Sequence, residues 1–226
     1  MKYYCSICKG ELKEQSAKLP CSFCNKEEEA DWVCSNNHFQ CEVCRVAEPA
    51  EIILRVTNSN LSTNPFVIAN LIMHHPTFRN HGAEHHLIVA PAVLTALNNA
   101  SVISVPKNRI KTALKRTLEI PYGTCGSRGD CGASVGAGVA TSIITRATYR
   151  SDKERSLVLK ATGLALIDLA EKPGPRCCKQ SVYSAIESVL KLLNSKGIIS
   201  YSIPNFKCEF KDMDGCKKEL CSYYAI

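Results

Sequence analysis

The chain has 226 residues, 45% of them hydrophobic, and carries a formal net charge of +7. This composition predicts one sizeable core with room for a small module, and it excludes a globally disordered chain. The positive charge is compatible with an anionic partner, but lysine and arginine are scattered along the chain, so nucleic-acid binding is not the favoured prediction.

The 14 cysteines are the most informative part of the composition. The start of the sequence has no apolar signal region, and no window holds 18 consecutive apolar residues, which predicts a cytoplasmic protein without a membrane span. In such a chain many cysteines indicate metal ligands rather than disulfides. Seven lie before residue 45, four between residues 125 and 178, and three after residue 207, so we expect separate sites.

Four pairs of soft ligands lie within the first 45 residues. They are Cys5 with Cys8, Cys21 with Cys24, Cys34 with His38, and Cys41 with Cys44. Two intervening residues let a tight turn present both sulfurs to one tetrahedral ion. A segment with so few apolar residues needs metal to fold. The count predicts two zinc ions in a structural module over residues 1–48, of zinc-ribbon or treble-clef type.

The spacing leaves the pairing of these ligands open. In an interleaved arrangement, one ion is bound by Cys5, Cys8, Cys34 and His38, and the other by Cys21, Cys24, Cys41 and Cys44. Sequential pairing is the alternative. The acidic run at residues 26–29 is expected to be a solvated loop.

Residues 49–226 are predicted to form a second domain, a mostly helical bundle with a cysteine-rich tail. Residues 49–59 are a possible helical connector, and Asn64 followed by Pro65 is typical of a helix start. Further helices are expected over residues 87–97, 107–119, 131–147, 152–171 and 177–196. Ser151 and Glu154 have the spacing of a capping box, Pro173–Pro175 should end the fourth of these helices, and residues 198–203 read as a strand.

Five of the six histidines, together with Glu84, lie between residues 74 and 86. Histidine is the usual acid or base near neutral pH and a common metal ligand. We expect His74 and His75 to cap helices or satisfy buried polar groups. The catalytic candidates are His81, Glu84, His85 and His86.

Two cysteine turns are predicted to form opposite walls of one iron–sulfur or thiol site. Cys125 and Cys131 lie in a glycine-rich loop that leads into a helix of small residues, and Cys177 and Cys178 open a later helix. A helix N-terminus offers unpaired N–H groups and a positive dipole end, so a thiol there is more acidic and a better metal ligand. The remaining cysteines are Cys208, Cys216 and Cys221, one short of a closed site unless they borrow a fourth ligand.

The two cysteine turns resemble segments of the iron–sulfur L-serine dehydratases. Residues 129–143, GDCGASVGAGVATSI, are similar to that family's Gly-Gly-Cys-Gln-Ala-Glu-Val-Gly segment, and residues 176–189 to its Pro-Cys-Ile-Glu-Arg-Asn segment. The resemblance implies that Cys131 and Cys177 bind a [4Fe–4S] cluster. In that family three cysteines hold the cluster and one iron stays open to substrate.

The chain as a whole resembles an uncharacterised cysteine-rich domain family of anaerobic archaea and bacteria, often associated with radical-SAM or methyltransferase proteins. The shared segments are the N-terminal cysteine pairs, His-Gly-x-Glu-His-His at residues 81–86, Cys-Gly-x-x-Gly-x-Cys-Gly-Ala at 125–133, and Gly-Pro-Arg-Cys-Cys at 174–178. The resemblance implies a protein partner of those types and the cysteine roles, but no reaction.

Three functional hypotheses follow. The first is an enzyme that performs lyase-type C–O or C–S cleavage, or sulfur transfer, on a small substrate. It would use an open-iron [4Fe–4S] cluster on Cys125, Cys131 and Cys177, with Cys178 as fourth ligand or free thiol. The second is a non-catalytic redox or sulfur-carrier accessory protein. The third is a zinc-stabilised interaction module for a partner enzyme.

Overall fold

A computed structural model describes residues 2–172 and 177–224. The strands are β1 (Leu12–Pro20) and β2 (Glu27–Cys34). The α-helices of the described ranges are α1 (Glu42–Arg45), α2 (Pro49–Ser59), α3 (Pro65–Met73), α4 (Val89–Asn99), α5 (Asn108–Leu118), α6 (Thr124–Ser127), α7 (Gly132–Ile144), α8 (Lys153–Ala170) and α9 (Cys178–Ser195). Short 3₁₀ helices cover Ala83–Leu87 and Lys218–Leu220. The predicted architecture, mostly helical after a small cysteine-rich module, is confirmed.

The N-terminal sheet is an antiparallel hairpin in which Leu12 lies opposite Cys34 and Pro20 opposite Glu27. The prediction of a solvated loop at residues 26–29 is wrong, because β2 begins at Glu27. Pairing with β1 satisfies the backbone of this acidic run, while its carboxylates stay near solvent and meet lysines, as Glu28 meets Lys26 at 2.6 Å.

Local signals account for several helix starts. The Asn64 side chain accepts hydrogen bonds from the N–H groups of Phe66 and Val67, and Pro65 occupies the first helical position, as predicted. The connector is the helix α2, which starts with a capping box between Glu48 and Glu51.

Two local predictions are wrong. Residues 198–203 form no strand. The Asn194 side chain at the end of α9 binds both the N–H of Tyr201, at 3.0 Å, and its carbonyl, at 2.8 Å, so this backbone is satisfied without a strand partner.

The predicted capping box is also absent, because Asp152 is the N-cap of α8 and the Ser151 hydroxyl accepts from the N–H of Thr148 instead. The predicted stop at residues 173–175 lies outside the described residues.

Helix α7 lies at the centre of the bundle and contacts α4, α5, α8 and α9. Its glycines permit close packing: a Cβ on Gly136 would lie 2.9 Å from Val89 Cβ, and one on Gly138 would lie 2.1 Å from Thr162 Oγ1. Real Cβ atoms do not approach other heavy atoms so closely, so these positions require glycine for α4 and α8 to pack against α7.

The N-terminal module packs directly on the helical core. Phe23 and Phe39 belong to the same buried cluster as the helices. The Phe23 ring meets His75 edge-on at 5.1 Å, and His75 Nε2–H donates to the carbonyl of Cys44 at 2.7 Å. His75 is buried and its ring nitrogens are hydrogen-bonded, which is the structural role predicted for it. None of the helices in the described ranges has the length and apolar character needed to cross a bilayer.

We expect Gly136→Ala to lower the free energy of unfolding by about 1–3 kcal/mol, because its methyl group would overlap Val89. Urea denaturation followed by circular dichroism measures this change. The matched control is Gly163→Ala in the interior of α8, where a Cβ meets nothing within 4 Å. There the higher helix propensity of alanine should raise stability by about 0.5–1 kcal/mol. A stabilising Gly136→Ala would contradict the close approach of α4 to α7.

Candidate functional site

Two groups of side chains in the N-terminal module could each hold a metal ion. One contains Cys5, Cys8, Cys34 and His38, and the other contains Cys21, Cys24, Cys41 and Cys44; within each group the donor atoms all lie within 4.8 Å of one another. Cys5 Sγ lies 3.6 Å from His38 Nδ1, and Cys24 Sγ lies 3.8 Å from Cys41 Sγ. The donors are grouped in the interleaved arrangement.

Local backbone geometry explains how each cysteine pair faces one point. Lys9 and Asn25, the residues that follow the first two pairs, have φ values of 61° and 58°. Their N–H groups donate to the carbonyls of Cys5 and Cys21, at 3.0 and 2.8 Å. This left-handed turn folds the chain back so that both sulfurs of a pair point to the same side.

The hairpin explains why the pairs interleave. It sets Cys34 opposite Leu12, next to the first pair. The N–H of Cys41 donates to Cys21 Sγ at 3.5 Å, which joins the second pair to the fourth. Burial raises the pKa of the Cys5 and Cys41 thiols to about 11. Thiolates at these positions therefore need a counter-charge, which a divalent cation would supply if bound.

A separate cavity of about 500 Å³ lies in the helical domain, between the histidine segment and the two cysteine turns. Six of the residues singled out in the sequence line it: His85, His86, Cys125, Cys131, Cys177 and Cys178. The opposite wall is apolar and includes Leu166, Leu169 and Ala170 of α8. The structure thus brings both cysteine turns and part of the histidine segment to one cavity.

His81 and Glu84 are not among the described residues that line this cavity. Glu84 is turned back into its own loop, where Oε1 accepts the N–H of Arg79 at 3.0 Å and lies 3.7 Å from His85 Nδ1. A Cβ on Gly82 would lie 1.9 Å from Glu84 Oε2, so the lack of a side chain at Gly82 makes room for the carboxylate. His81 Nε2 lies near Gly215 in the C-terminal tail.

His86 lines the cavity, and one of its ring nitrogens is hydrogen-bonded to the backbone. Nδ1 lies 3.2 Å from the carbonyl of Ile120, to which it donates as N–H, so the neutral ring carries its lone pair on Nε2. Burial lowers the pKa of His86 and keeps the ring neutral. A Cβ on Gly132 would lie 2.2 Å from His86 Cγ, so the start of α7 admits the ring only because residue 132 is glycine.

His85 has a different role, because both of its nitrogens are engaged inside the protein. Only 1% of the residue is exposed, Nδ1 lies 3.3 Å from the carbonyl of Gly82, and Nε2 lies 3.5 Å from Lys179 Nζ. Burial, reinforced by the charge of Lys179, lowers the pKa of His85 to about 3. His85 is therefore a neutral ring that fixes Lys179 and forms part of the cavity wall.

Two cysteines of the cavity occupy helix N-caps. Cys131 is the N-cap of α7 and Cys177 that of α9, where its sulfur accepts the N–H of Gln180 at 3.4 Å. The positive ends of both helix dipoles therefore point to this region and favour an anion there. Burial nevertheless raises the pKa of Cys177.

Sequence reasoning missed several polar residues of the cavity wall. Lys172, Gln180 and Lys217 line it, and Lys217 Nζ donates to Gln180 Oε1 at 2.7 Å. Gln180 could have been suspected from its place one helical turn after Cys177. Lys217 carries no local signal, since only the folding of the tail brings it to α9.

These features define a cysteine-rich helical protein with two donor groups that could bind metal ions and a separate cavity lined by thiols and histidines. The chain belongs to the family of unknown function DUF5714, whose family model matches residues 53–224. The match covers the helical domain and tail but not the N-terminal cysteine groups. No match was found among curated proteins or among solved structures.

We expect Cys34→Ser and Cys41→Ser each to lower the zinc content by about one ion per chain, because each removes one of four ligands. Only Cys41→Ser should also lower the melting temperature of the helical signal, by more than about 4 °C. Its group includes Cys44, whose carbonyl binds His75 of the core. Elemental analysis and thermal circular dichroism measure the two effects. Equal melting temperatures would contradict the coupling between the second group and the helices.

Proposed function

We propose that this protein is a metal-dependent enzyme that acts on a small anionic substrate in the 500 Å³ cavity. The observation that carries the proposal is the convergence of thiols and histidines from three separate segments on that cavity. The proposed reaction is lyase-type cleavage of a C–O or C–S bond, or sulfur transfer. The two N-terminal groups are proposed to hold structural zinc.

The proposed cofactor of the cavity is a [4Fe–4S] cluster with one open iron. Cys125, Cys131 and Cys178 are the proposed ligands, since they line this cavity, whereas Cys177 also lines a second, smaller one. An open iron supplies a Lewis acid for a hydroxyl, thiol or carboxylate of the substrate. Three thiols at one cavity suit such a group. The similarity to iron–sulfur L-serine dehydratases supports Cys131 as a ligand, whereas in the second turn it implies Cys177, so the choice of Cys178 rests on the lining of the two cavities.

His86 is the proposed general base. Its Nδ1–H donates to the carbonyl of Ile120, which leaves the lone pair of the neutral ring on Nε2. Burial lowers the pKa of His86, so the ring is unprotonated at neutral pH. In an elimination it would take the proton next to the substrate's carboxylate, the C–H electron pair would form the new double bond, and hydroxide or hydrosulfide would leave. Lys172 and the N-terminal ends of α7 and α9 favour the carboxylate.

A redox or sulfur-carrier accessory protein is the second candidate, favoured by the adjacent thiols of Cys177 and Cys178. Cys178 lines the large cavity, whereas Cys177 lines both the large cavity and the smaller one. Such a protein would serve a partner enzyme, and the family resemblance supports a partner of radical-SAM or methyltransferase type. The two candidates differ in turnover: only the enzyme consumes a small substrate without a partner.

Cys131→Ser tests the cluster assignment. Under anaerobic conditions we expect it to remove about four iron and four sulfide per chain relative to the parent protein, while the zinc remains. Serine is a good N-cap, so α7 should still form. Cys34→Ser is the matched control and should lose zinc but keep iron. A parent protein without iron after anaerobic reconstitution would overturn the assignment.

His86→Asn tests the proposed base. With L-serine and L-cysteine as probes, we expect pyruvate release by the cluster-loaded parent, and a loss of about 100-fold or more in the variant. Asparagine places Nδ2–H where Nδ1–H of His86 donates to the Ile120 carbonyl, so the iron content should not change. An unchanged rate at equal iron content would exclude His86 as the base.

A further inference from the structure

The C-terminal tail folds back on the start of α9. The N–H of Cys208 donates to the carbonyl of Tyr223 at 2.6 Å, so the tail closes on itself. Tyr223 is buried, and its ring lies 5.5 Å from that of Tyr183 on α9. Phe206 packs on the same tyrosine at 4.9 Å. These aromatic contacts hold a segment with little regular secondary structure in one place.

Four thiols line a small cavity of about 20 Å³ between this tail and α9. They belong to Cys177, Cys208, Cys216 and Cys221. The chain reaches this point from two places about 30 residues apart in sequence, so the convergence is a property of the fold. Cys177 is therefore the fourth thiol at a place where the tail itself provides three.

Each of these four sulfurs accepts an N–H hydrogen bond. The donors are Gln180 N to Cys177 at 3.4 Å, Phe210 N to Cys208 at 3.4 Å, Lys218 N to Cys216 at 3.5 Å, and Gln180 Nε2 to Cys221 at 3.4 Å. N–H donors aimed at sulfur stabilise thiolates and tune the metals that they bind. Four such bonds are difficult to explain for four inert, protonated thiols.

Lys179 places a buried polar side chain beside the four thiols. The residue is 2% exposed, lines the same small cavity, and has Nζ 4.7 Å from the Phe210 ring. Among the ion pairs of the described residues none includes Lys179, although its Nζ donates to the carbonyl of Arg79 at 3.1 Å. The wall of this cavity is therefore formed by four thiols together with a buried polar side chain.

We infer that Cys177, Cys208, Cys216 and Cys221 form a third metal centre, which takes a thiophilic metal as zinc or as an iron–sulfur cluster. The donors lie farther apart than those of the two N-terminal groups, since no further set of three within the described ranges lies mutually within 4.8 Å. A single zinc ion would draw the four sulfurs inward. A cluster would hold them at wider spacing, because iron and sulfide lie between them.

Cys216→Ser and Cys221→Ser test this centre by metal analysis of the anaerobically purified full chain. We expect each to lose either about one zinc or about four iron and four sulfide per chain, and the metal lost identifies the centre. Cys34→Ser is the control for the N-terminal groups. An unchanged zinc, iron and sulfide content in both folded variants would overturn the inference.

A second measurement leaves the tail cysteines intact. In the Cys125→Ser/Cys131→Ser chain the proposed cavity cluster is removed, and a serine hydroxyl at the N-cap can still start α7. Native mass spectrometry should then find two zinc ions plus one further centre. Two zinc ions alone would overturn the third centre even if the tail variants do not fold. If Cys131→Ser loses iron and Cys221→Ser loses neither zinc nor iron, the proposed function stands and only the tail site is refuted.

Discussion

The absence of side chains at two glycines of α7, Gly132 and Gly138, is the constraint on which the rest of the structure depends. His86 packs where a side chain on Gly132 would lie, with 2.2 Å between the would-be Cβ and its ring, and Thr162 packs in the same way on Gly138. Glycine inside a helix costs roughly 1 kcal/mol against alanine. Packing with α4 and α8 offsets that cost, and it brings the histidine segment to the cavity that Cys131 also lines.

Desolvation is the second organising effect, because the helical domain buries groups that water normally solvates. Lys179 is almost fully buried between His85 and the Phe210 ring. His85 responds by staying neutral, so it accepts from the lysine without adding charge. The half-buried residues Cys177 and Cys208 line the same small cavity as Lys179, and burial raises the pKa of Cys208 to about 11. A bound metal would make thiolates favourable there and so stabilise the lysine as well.

Most of what the sequence could predict is local. The cysteine pairs and the Asn64 cap are encoded within a few residues, so their turns and the helix start follow from spacing and side-chain chemistry. The hairpin was not predicted, because its polar strands do not alternate apolar and polar residues. The turn that joins them carries Cys21 and Cys24. The strand expected at residues 198–203 is replaced by hydrogen bonds from Asn194, a competition that residue pattern does not reveal. The position of the tail depends on aromatic contacts with Tyr183, which no local signal carries.

The start of α9 explains how one short motif can line two cavities. Successive residues at a helix start point in directions about 100° apart, since the helix has 3.6 residues per turn. Cys178 therefore faces the large cavity, while Cys177, still in extended conformation at the N-cap, lies between the large cavity and the tail. Lys179 and Gln180 then meet the tail thiols from the same turn. The Cys-Cys-Lys-Gln sequence thus supplies thiols to both cavities and a buried lysine to the wall of the smaller one.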